Sequence, residues 1–251
     1  MGLADKVCIV TGGGSGIGRA AALLMAAQGA RVAVVGRTES KLTAVRGEIE
    51  RQRGTALAVR LDVADRSAVQ RMAAAVLDAW GQIDVLVNNA GHSSAHRMLL
   101  TTTPEDIRST IDSNLAGTIY CTQAVMPAMQ AAGAGTIINV ASLAGVGGSL
   151  LGGPSYSAAK AGVINFTQYL NTEFRNSGLR ASVIIPGEVD TPIVEQRPVH
   201  PSPEARATMA TSEDVARAIL LVADLPQRTL VPELTIRPTY LRDTSAEVGV
   251  K

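Results

Sequence analysis

The sequence predicts an α/β fold, a mainly parallel sheet with helices on both faces, and three observations predict it. Apolar, β-rich runs recur along the chain, alanine-rich stretches long enough for helices separate them, and a glycine cluster directly follows the first run. Short strands alternating with helices make βαβ units, whose crossovers lay helices on both faces of a parallel sheet. Of the 251 residues, 46% are hydrophobic but only 3% aromatic. The core is therefore built from Ala, Val, Leu and Ile, which suits close packing of helix on sheet. A chain of this length and class often folds as one domain, expected here over residues 1–251.

The strands are expected at residues 7–10, 31–35, 56–61, 83–87, 136–140 and 180–185, with 229–236 adding a seventh at the edge. Helices are expected over 16–28, 40–52, 66–80, 104–131, 155–176 and 212–222. The third has a local start signal, because Asp65 is suited to cap it. Pro198, Pro201 and Pro203 interrupt residues 193–209, so a continuous helix is not expected there and the segment reads as a connection lying over a pocket. Residues 243–251 read as a frayed tail.

Composition excludes several classes of function. Twenty-three basic against 22 acidic side chains leave a net charge of +1, too little field to gather a polyanion, so nucleic acid is not an expected partner. Cys8 and Cys121 have no CxxC spacing and no histidine cluster around them. Neither a disulfide framework nor a metal site is expected. No apolar run approaches the roughly 20 residues of a membrane span, and no signal-like segment precedes the glycine cluster, so a cytoplasmic location is expected.

That cluster, Thr11-Gly12-Gly13-Gly14-Ser15-Gly16-Ile17-Gly18, sits between the first strand and the first helix. Glycine permits tight turns and close approach of the backbone, and the amides of a helix start favour phosphate oxygens. Taken alone the loop could be only a turn, but its place after the first strand of a long αβ chain fits a dinucleotide. A nucleotide-triphosphate loop would end in Gly-Lys-Ser/Thr, whereas this one continues Ile17-Gly18-Arg19 and lacks the lysine. The spacing T-G-x-x-x-G-x-G resembles the short-chain dehydrogenase/reductase family, which implies a three-layer, Rossmann-type fold and a nicotinamide cofactor. By that resemblance Gly12, Gly14, Ser15, Gly16, Ile17 and Gly18 hold the cofactor.

The second strand ends Val35-Gly36-Arg37-Thr38. A carboxylate at this point would accept a hydrogen bond from the adenosine ribose and repel a 2′-phosphate. Gly36 removes the acid and Arg37 offers a charge-assisted fork, so NADP(H) is preferred, with Arg37 and Thr38 as contacts. A basic residue that the family often carries in the glycine loop is replaced by Ser15, which keeps NAD(H) open. The resemblance places Asp62 and Val63 at the adenine, and Asn89, Ala90 and Gly91, from Asn88-Asn89-Ala90-Gly91, at adenosine and ribose. Each of these short motifs could otherwise be a cap or a turn.

Tyr156-Ser157-Ala158-Ala159-Lys160 carries the chemistry. On a helix Tyr156 and Lys160 are one turn apart on the same face. A phenol can give a proton to a developing alkoxide, but its ordinary pKa of about 10 makes it a poor base. The expectation is that the Lys160 ammonium lowers that value. Such a pair alone is often a surface pair, so its company matters. Ser142 can hold the substrate oxygen, and by the resemblance Asn114 completes the set by holding a water that links Lys160 to solvent. Pro186-Gly187-Glu188-Val189-Asp190-Thr191-Pro192 matches the family pattern P-G-x-V-x-T-P, which places Pro186, Gly187, Val189 and Thr191 at the nicotinamide end. Tyr156 and Lys160 also count there as cofactor contacts.

These motifs imply an enzyme interconverting a small carbonyl compound and an alcohol, resembling carbonyl reductases and 3-oxoacyl-[acyl-carrier-protein] reductases. A 3-oxoacyl thioester reductase, an NAD(H)-dependent alcohol dehydrogenase and a non-catalytic NADP(H)-binding sensor or scaffold are the alternatives. His92, Ser94, His96, Leu143, Leu150, Leu151, Glu188 and residues 193–209 are candidates for the substrate pocket. The resemblance also implies a homo-oligomer, dimer or tetramer, with Ile164, Phe166 and Leu170 available either to an interface or to the chain's own core.

Overall fold

Runs of Val, Ile and Ala favour extended chain that can be buried on both faces, and seven such runs form one sheet in the computed structural model, which describes residues 2–248. In chain order the elements are β1 (Val7–Thr11), α1 (Gly16–Ala27), β2 (Arg31–Gly36), α2 (Glu39–Arg51), β3 (Thr55–Arg60), α3 (Arg66–Trp80) and β4 (Val85–Asn88). There follow α4 (Pro104–Ile111), α5 (Gly117–Ala132), β5 (Gly135–Val140), α6 (Pro154–Glu173), β6 (Leu179–Pro186) and β7 (Val189–Asp190). The chain closes with α7 (Pro203–Ala207), β8 (Ala210–Thr211), α8 (Ser212–Asp224) and β9 (Glu233–Ile236).

The large sheet has the order β3-β2-β1-β4-β5-β6-β9, and every neighbouring pair is parallel. Alternation along β1 sends Cys8 and Val10 into a core with α1, α2 and α8, while Val7 and Ile9 enter a second core with α3, α5 and α6. Both cysteines are buried and free. Burial pushes each thiol up to about 12, so neither is a ready thiolate.

From β1 the chain builds outward to β3 and then returns to lay β4 on the other side of β1. Such a reversal opens a crevice at the carboxyl ends of the strands. Thr11 stitches its two walls together. Its hydroxyl donates to Val87 O (3.2 Å) and accepts from the amides of Asn89 and Ala90 (3.0 Å each).

Four expectations need correction. The helix expected over 104–131 is two helices joined by a π-turn at Asp112–Ala116, where Asn114 Nδ2 donates to Thr110 O four residues back (2.9 Å) and to His92 O (2.8 Å). A side chain takes over part of the backbone ladder there, so the ladder widens. The seventh strand spans only Glu233–Ile236, beginning after Pro232. Within 193–209 lies the short α7, and the following β8 pairs in parallel with β7, a small second sheet not foreseen. Finally, the expected frayed tail is held against the domain at its residues 247 and 248. Glu247 and Val248 are buried, and residues 249–251 lie outside the described residues. Ile164, Phe166 and Leu170 pack in the chain's own cores.

Arg180, buried at the start of β6, ties the sheet to the end of α8. Its guanidinium donates to Thr136 Oγ1 and to the carbonyls of Val222, Ala223, Leu225, Pro226 and Thr229 at 2.7 to 3.4 Å. A helix end leaves carbonyls without partners, and one cation here satisfies several of them. Arg180→Met is expected to destabilise the fold by about 2–4 kcal/mol in urea unfolding. A loss below about 1 kcal/mol would mean that water replaces the side chain without cost.

Candidate active site

The carboxyl ends of β1, β2, β4, β5 and β6 border one cleft of about 520 Å³. At its floor Gly12 and Gly16 adopt positive φ of 65° and 53°, which only glycine does without strain. Gly18 faces inward, where a Cβ would overlap Gly12 O and crowd Asn89 Nδ2. Asn89 Nδ2 itself donates to Thr11 O (3.1 Å), locking the loop against the end of β4. The start of α1 has no side-chain cap from Ser15 and no acidic residue in its first turn. A helix start so built suits an anion. Thr191 lies over this loop, its Cβ 3.5 Å from where a Gly16 Cβ would stand.

Every expected cofactor residue lines this cleft except Gly18, which lies beneath the loop. At one end stand Arg37 and Thr38 from the end of β2, with Asp62 and Val63 after β3. Arg37 and Asp62 are exposed, and Asp62 Oδ1 accepts from Ala64 N (3.0 Å), a turn contact. Of the expected pocket residues, His92, Leu143, Leu151 and Glu188 line the cleft, as do Ile193, Val194 and Arg197 of the connection. Burial holds the His92 pKa down, the Arg37 charge adds to that, and Asp62 opposes it.

Ser94, His96 and Leu150 do not line the cleft. Ser94 Oγ donates to Asp106 Oδ1 (2.7 Å), and His96 Nδ1 lies 2.9 Å from Asp106 Oδ2, so this cluster fastens the loop after β4 to α4. The Asp106 carboxyl, accepting these bonds and that of Thr103 N, is held far below the usual carboxylate range. Leu150 points out, 58% exposed.

At the other end of the cleft, Asn114, Ser142, Tyr156 and Lys160 come together. Ser142 is presented by the end of β5, and its Oγ accepts from Ala144 N (3.2 Å). Tyr156 and Lys160 sit on the first turns of α6, with Lys160 Nζ 5.6 Å from the centre of the Tyr156 ring. Lys160 Nζ is buried and donates to Val140 O (2.8 Å). Gly91 touches both supporting groups. A Cβ there would overlap Asn114 Oδ1 and stand 3.5 Å from Lys160 Nζ. Asn114 Oδ1 is buried with no protein partner, which leaves an acceptor for a water or a hydroxyl.

The electrostatics correct one expectation. Burial raises the Tyr156 pKa above its ordinary value, and the Ser142 hydrogen bond and the Arg97 charge oppose that rise. Burial lowers Lys160 itself to about 8. Burial thus keeps Tyr156 a phenol ready to donate, while Lys160 remains charged at neutral pH.

Two features escaped the sequence reading. Arg97, in the loop after β4, is buried on the cleft wall. Glu188 and Arg197, also on the wall, join Arg242 and Glu247 of the C-terminal segment in an alternating square of charge. Its contacts are Arg197–Glu188 (2.9 Å), Arg197–Glu247 (2.7 Å), Arg242–Glu188 (2.7 Å) and Arg242–Glu247. Spacings of 9 and 54 residues within one square leave no local signal.

The residues present fit a phosphate-bearing dinucleotide. Gly12 and Gly18 leave no room for a Cβ against Asn89 and the loop's own backbone, so the loop lies close on the strand ends; an uncapped helix start adjoins it, and a buried acceptor is unpartnered. Among the described residues no cluster suited to a metal occurs, and no helix is long and apolar enough to cross a membrane.

A family model described as short chain dehydrogenase matches residues 6–201. A 3-oxoacyl-[acyl-carrier-protein] reductase from Synechocystis sp. is 38% identical over 227 residues, covering 89% of this chain and 91% of the relative. Among solved structures, serine dehydrogenase in its closed form with NADP+ superposes with a TM-score of 0.86 at 31% identity, covering 95% of this chain and 97% of that one. A metagenomic short-chain oxidoreductase in complex with NADP gives 0.82 at 32% identity, covering 94% and 99%.

Proposed function

Because the chain belongs to the short-chain dehydrogenase family, we propose that it interconverts a ketone or aldehyde and the corresponding alcohol with NADP(H), using Tyr156 as the acid and base. The observation that carries this reading is the convergence of Ser142, Tyr156 and Lys160 at one end of a cleft whose floor is the glycine loop. When bound, the dinucleotide supplies or accepts the hydride.

In reduction, Ser142 and Tyr156 hold the substrate oxygen. The Tyr156 phenol, kept protonated by burial, passes its proton to the oxygen as negative charge develops there. Ser142 stabilises the tyrosinate left behind, since its hydrogen bond already favours that form. Lys160 on the ring face adds positive charge and holds the nicotinamide ribose, and Asn114 Oδ1 accepts from the water that returns a proton. Oxidation runs the same path backwards from tyrosinate. Main-chain groups around Val189 hold the nicotinamide, with Thr191 close to the glycine loop.

Preference for the phosphorylated coenzyme rests on Gly36 and Arg37 at the end of β2, and the NADP-bound relatives support it. Steady-state turnover with NADPH and NADH against ketones, aldehydes and 3-oxoacyl thioesters tests both parts. A preference for NADPH of about tenfold or more in kcat/KM, some 1.4 kcal/mol, is expected, and Arg37→Gln should remove most of it. Better turnover with NADH would reverse the assignment. Tight coenzyme binding without turnover across the panel would favour a sensor or scaffold. Similarity to the Synechocystis enzyme favours 3-oxoacyl thioesters as the second substrate class to try.

A further inference from the structure

The connection between β7 and β8 is fixed at both ends. The two short strands pair side by side, and Glu188 O accepts from Ala210 N (3.1 Å). Between them Pro192, Ile193, Val194 and Arg197 line the cleft, and Val194 is buried. Arg197 is the residue of this span that enters the charge square with Glu188, Arg242 and Glu247.

The other side of the square comes from beyond β9. Gly187 N donates to Ile236 O (2.7 Å), and a Cβ on Gly187 would stand 3.2 Å from Leu143 Cδ1 and 3.4 Å from Pro238 Cδ. The C-terminal segment thus leaves β9 directly against the turn that carries Glu188. It comes back to that turn at Arg242, which forks onto both carboxylates. Nε and Nη2 donate to Glu188 Oε2 (2.8 Å) and Oε1 (2.7 Å), while Nη1 and Nη2 donate to the two oxygens of Glu247. Paired bonds of this kind fix angle as well as distance. The side chains of Arg197, Arg242 and Glu247 are only 9–10% exposed, so salt screens these pairs little. A second tie on the connection, Arg206 to Asp190 (2.7 Å) and to Glu195, is 34–50% exposed, where an ion pair contributes little. The square is therefore the stronger hold. Apolar residues of similar volume often stabilise a fold as well as a buried ion cluster does, so what the square adds is a fixed geometry.

We propose that Arg242 and Glu247 are positioning residues: they clamp Glu188 to Arg197 and so set how closely residues 192–209 cover a bound carbonyl substrate. The inference rests on the reading of this cleft as the reductase site and adds to it a control exerted from the far end of the chain. Neither Arg242 nor Glu247 lines the cleft, and both act through Glu188 and Arg197, which do. With the clamp formed, Ile193 and Val194 stay against the cleft and help keep water from a bound substrate.

The test compares hydrogen exchange of backbone amides, and steady-state kinetics with NADPH and the best carbonyl substrate, in the unmodified protein, in Arg242→Met and in the double variant Arg242→Met, Glu247→Gln. In Arg242→Met, amides within 192–209 are expected to exchange about tenfold or more faster, while those of β5 and α6 keep their rates. KM for the carbonyl substrate should rise on the order of tenfold with kcat within about threefold, the pattern of lost cover rather than of a lost proton donor. The double variant leaves Glu188 paired with Arg197 and the charge balanced, so it separates the clamp from a stranded charge. The same faster exchange and raised KM are expected in it; recovery of both to the unmodified values would make the stranded charge the cause and overturn the inference. Unchanged exchange within 192–209 overturns it equally. Should Arg242→Met loosen the whole fold, Arg242→Lys, which keeps the charge and loses the fork, decides by the same local readout. Absence of turnover with every carbonyl compound would remove the reductase reading, while exchange within 192–209 would still decide the clamp.

Discussion

Tyr156→Phe is expected to lower kcat/KM for carbonyl reduction by on the order of 10²–10⁴-fold, the usual worth of a placed general acid, without unfolding the protein. Phenylalanine keeps the ring that packs over Lys160 Nζ at 5.6 Å and removes only the hydroxyl that bonds to Ser142. The loss should appear in kcat more than in KM, because the proton moves only as the transition state is approached. The pH profile of the unmodified enzyme supplies a second check. Burial holds the Tyr156 pKa above its ordinary value. Reduction, which needs the phenol, should therefore persist through neutral pH, and oxidation, which needs tyrosinate, should climb with pH. Retention of more than about a tenth of the activity in the phenylalanine variant would assign the proton to another group.

Lys160→Met is expected to lower activity by on the order of 10²-fold or more while making the fold more stable at neutral pH. The sign follows from the shift. Lys160 titrates at about 8 in the folded protein against an ordinary value of 10.5, with burial as the cause. Below pH 8 the side chain is charged in both the folded and unfolded states, and the folded state carries the full desolvation cost. Between pH 8 and 10.5 the unfolded chain binds more protons than the folded one, so stability rises as pH rises. Methionine fills similar volume without the charge. Against the lost bond to Val140 O, a net gain of about 1–3 kcal/mol at pH 7 is expected. The gap should narrow as pH climbs through that window. Thermal unfolding across pH measures it, and a variant less stable than the parent at pH 7 would show that Lys160 is well solvated by its surroundings.

The sheet was legible from residue order because buried parallel strands must be continuous apolar runs, and each run from Val7 to Ile185 became a strand within a residue or two. The glycine loop was legible for a related reason. Backbone at φ of 65° and 53°, and a helix start with no room for a Cβ, admit little but glycine, so the local sequence records the geometry. The Tyr156–Lys160 pair was visible through its spacing of one helical turn, and the cleft brings it together with Asn114 and Ser142.

What residue order alone determined, then, is whatever depends on near neighbours in the chain: strand and helix periods, turn glycines, and the pairing of side chains one turn apart. Tertiary structure alone decided how charges from distant segments act on each other. It raised the pKa of Tyr156, where spacing had implied lowering, because both tyrosine and lysine lost water. It put Arg97 and the phenol on one cleft and closed the Glu188, Arg197, Arg242 and Glu247 square across three separate segments. Desolvation and Coulomb energy depend on distance and burial in space, and neither quantity is written in the order of the residues.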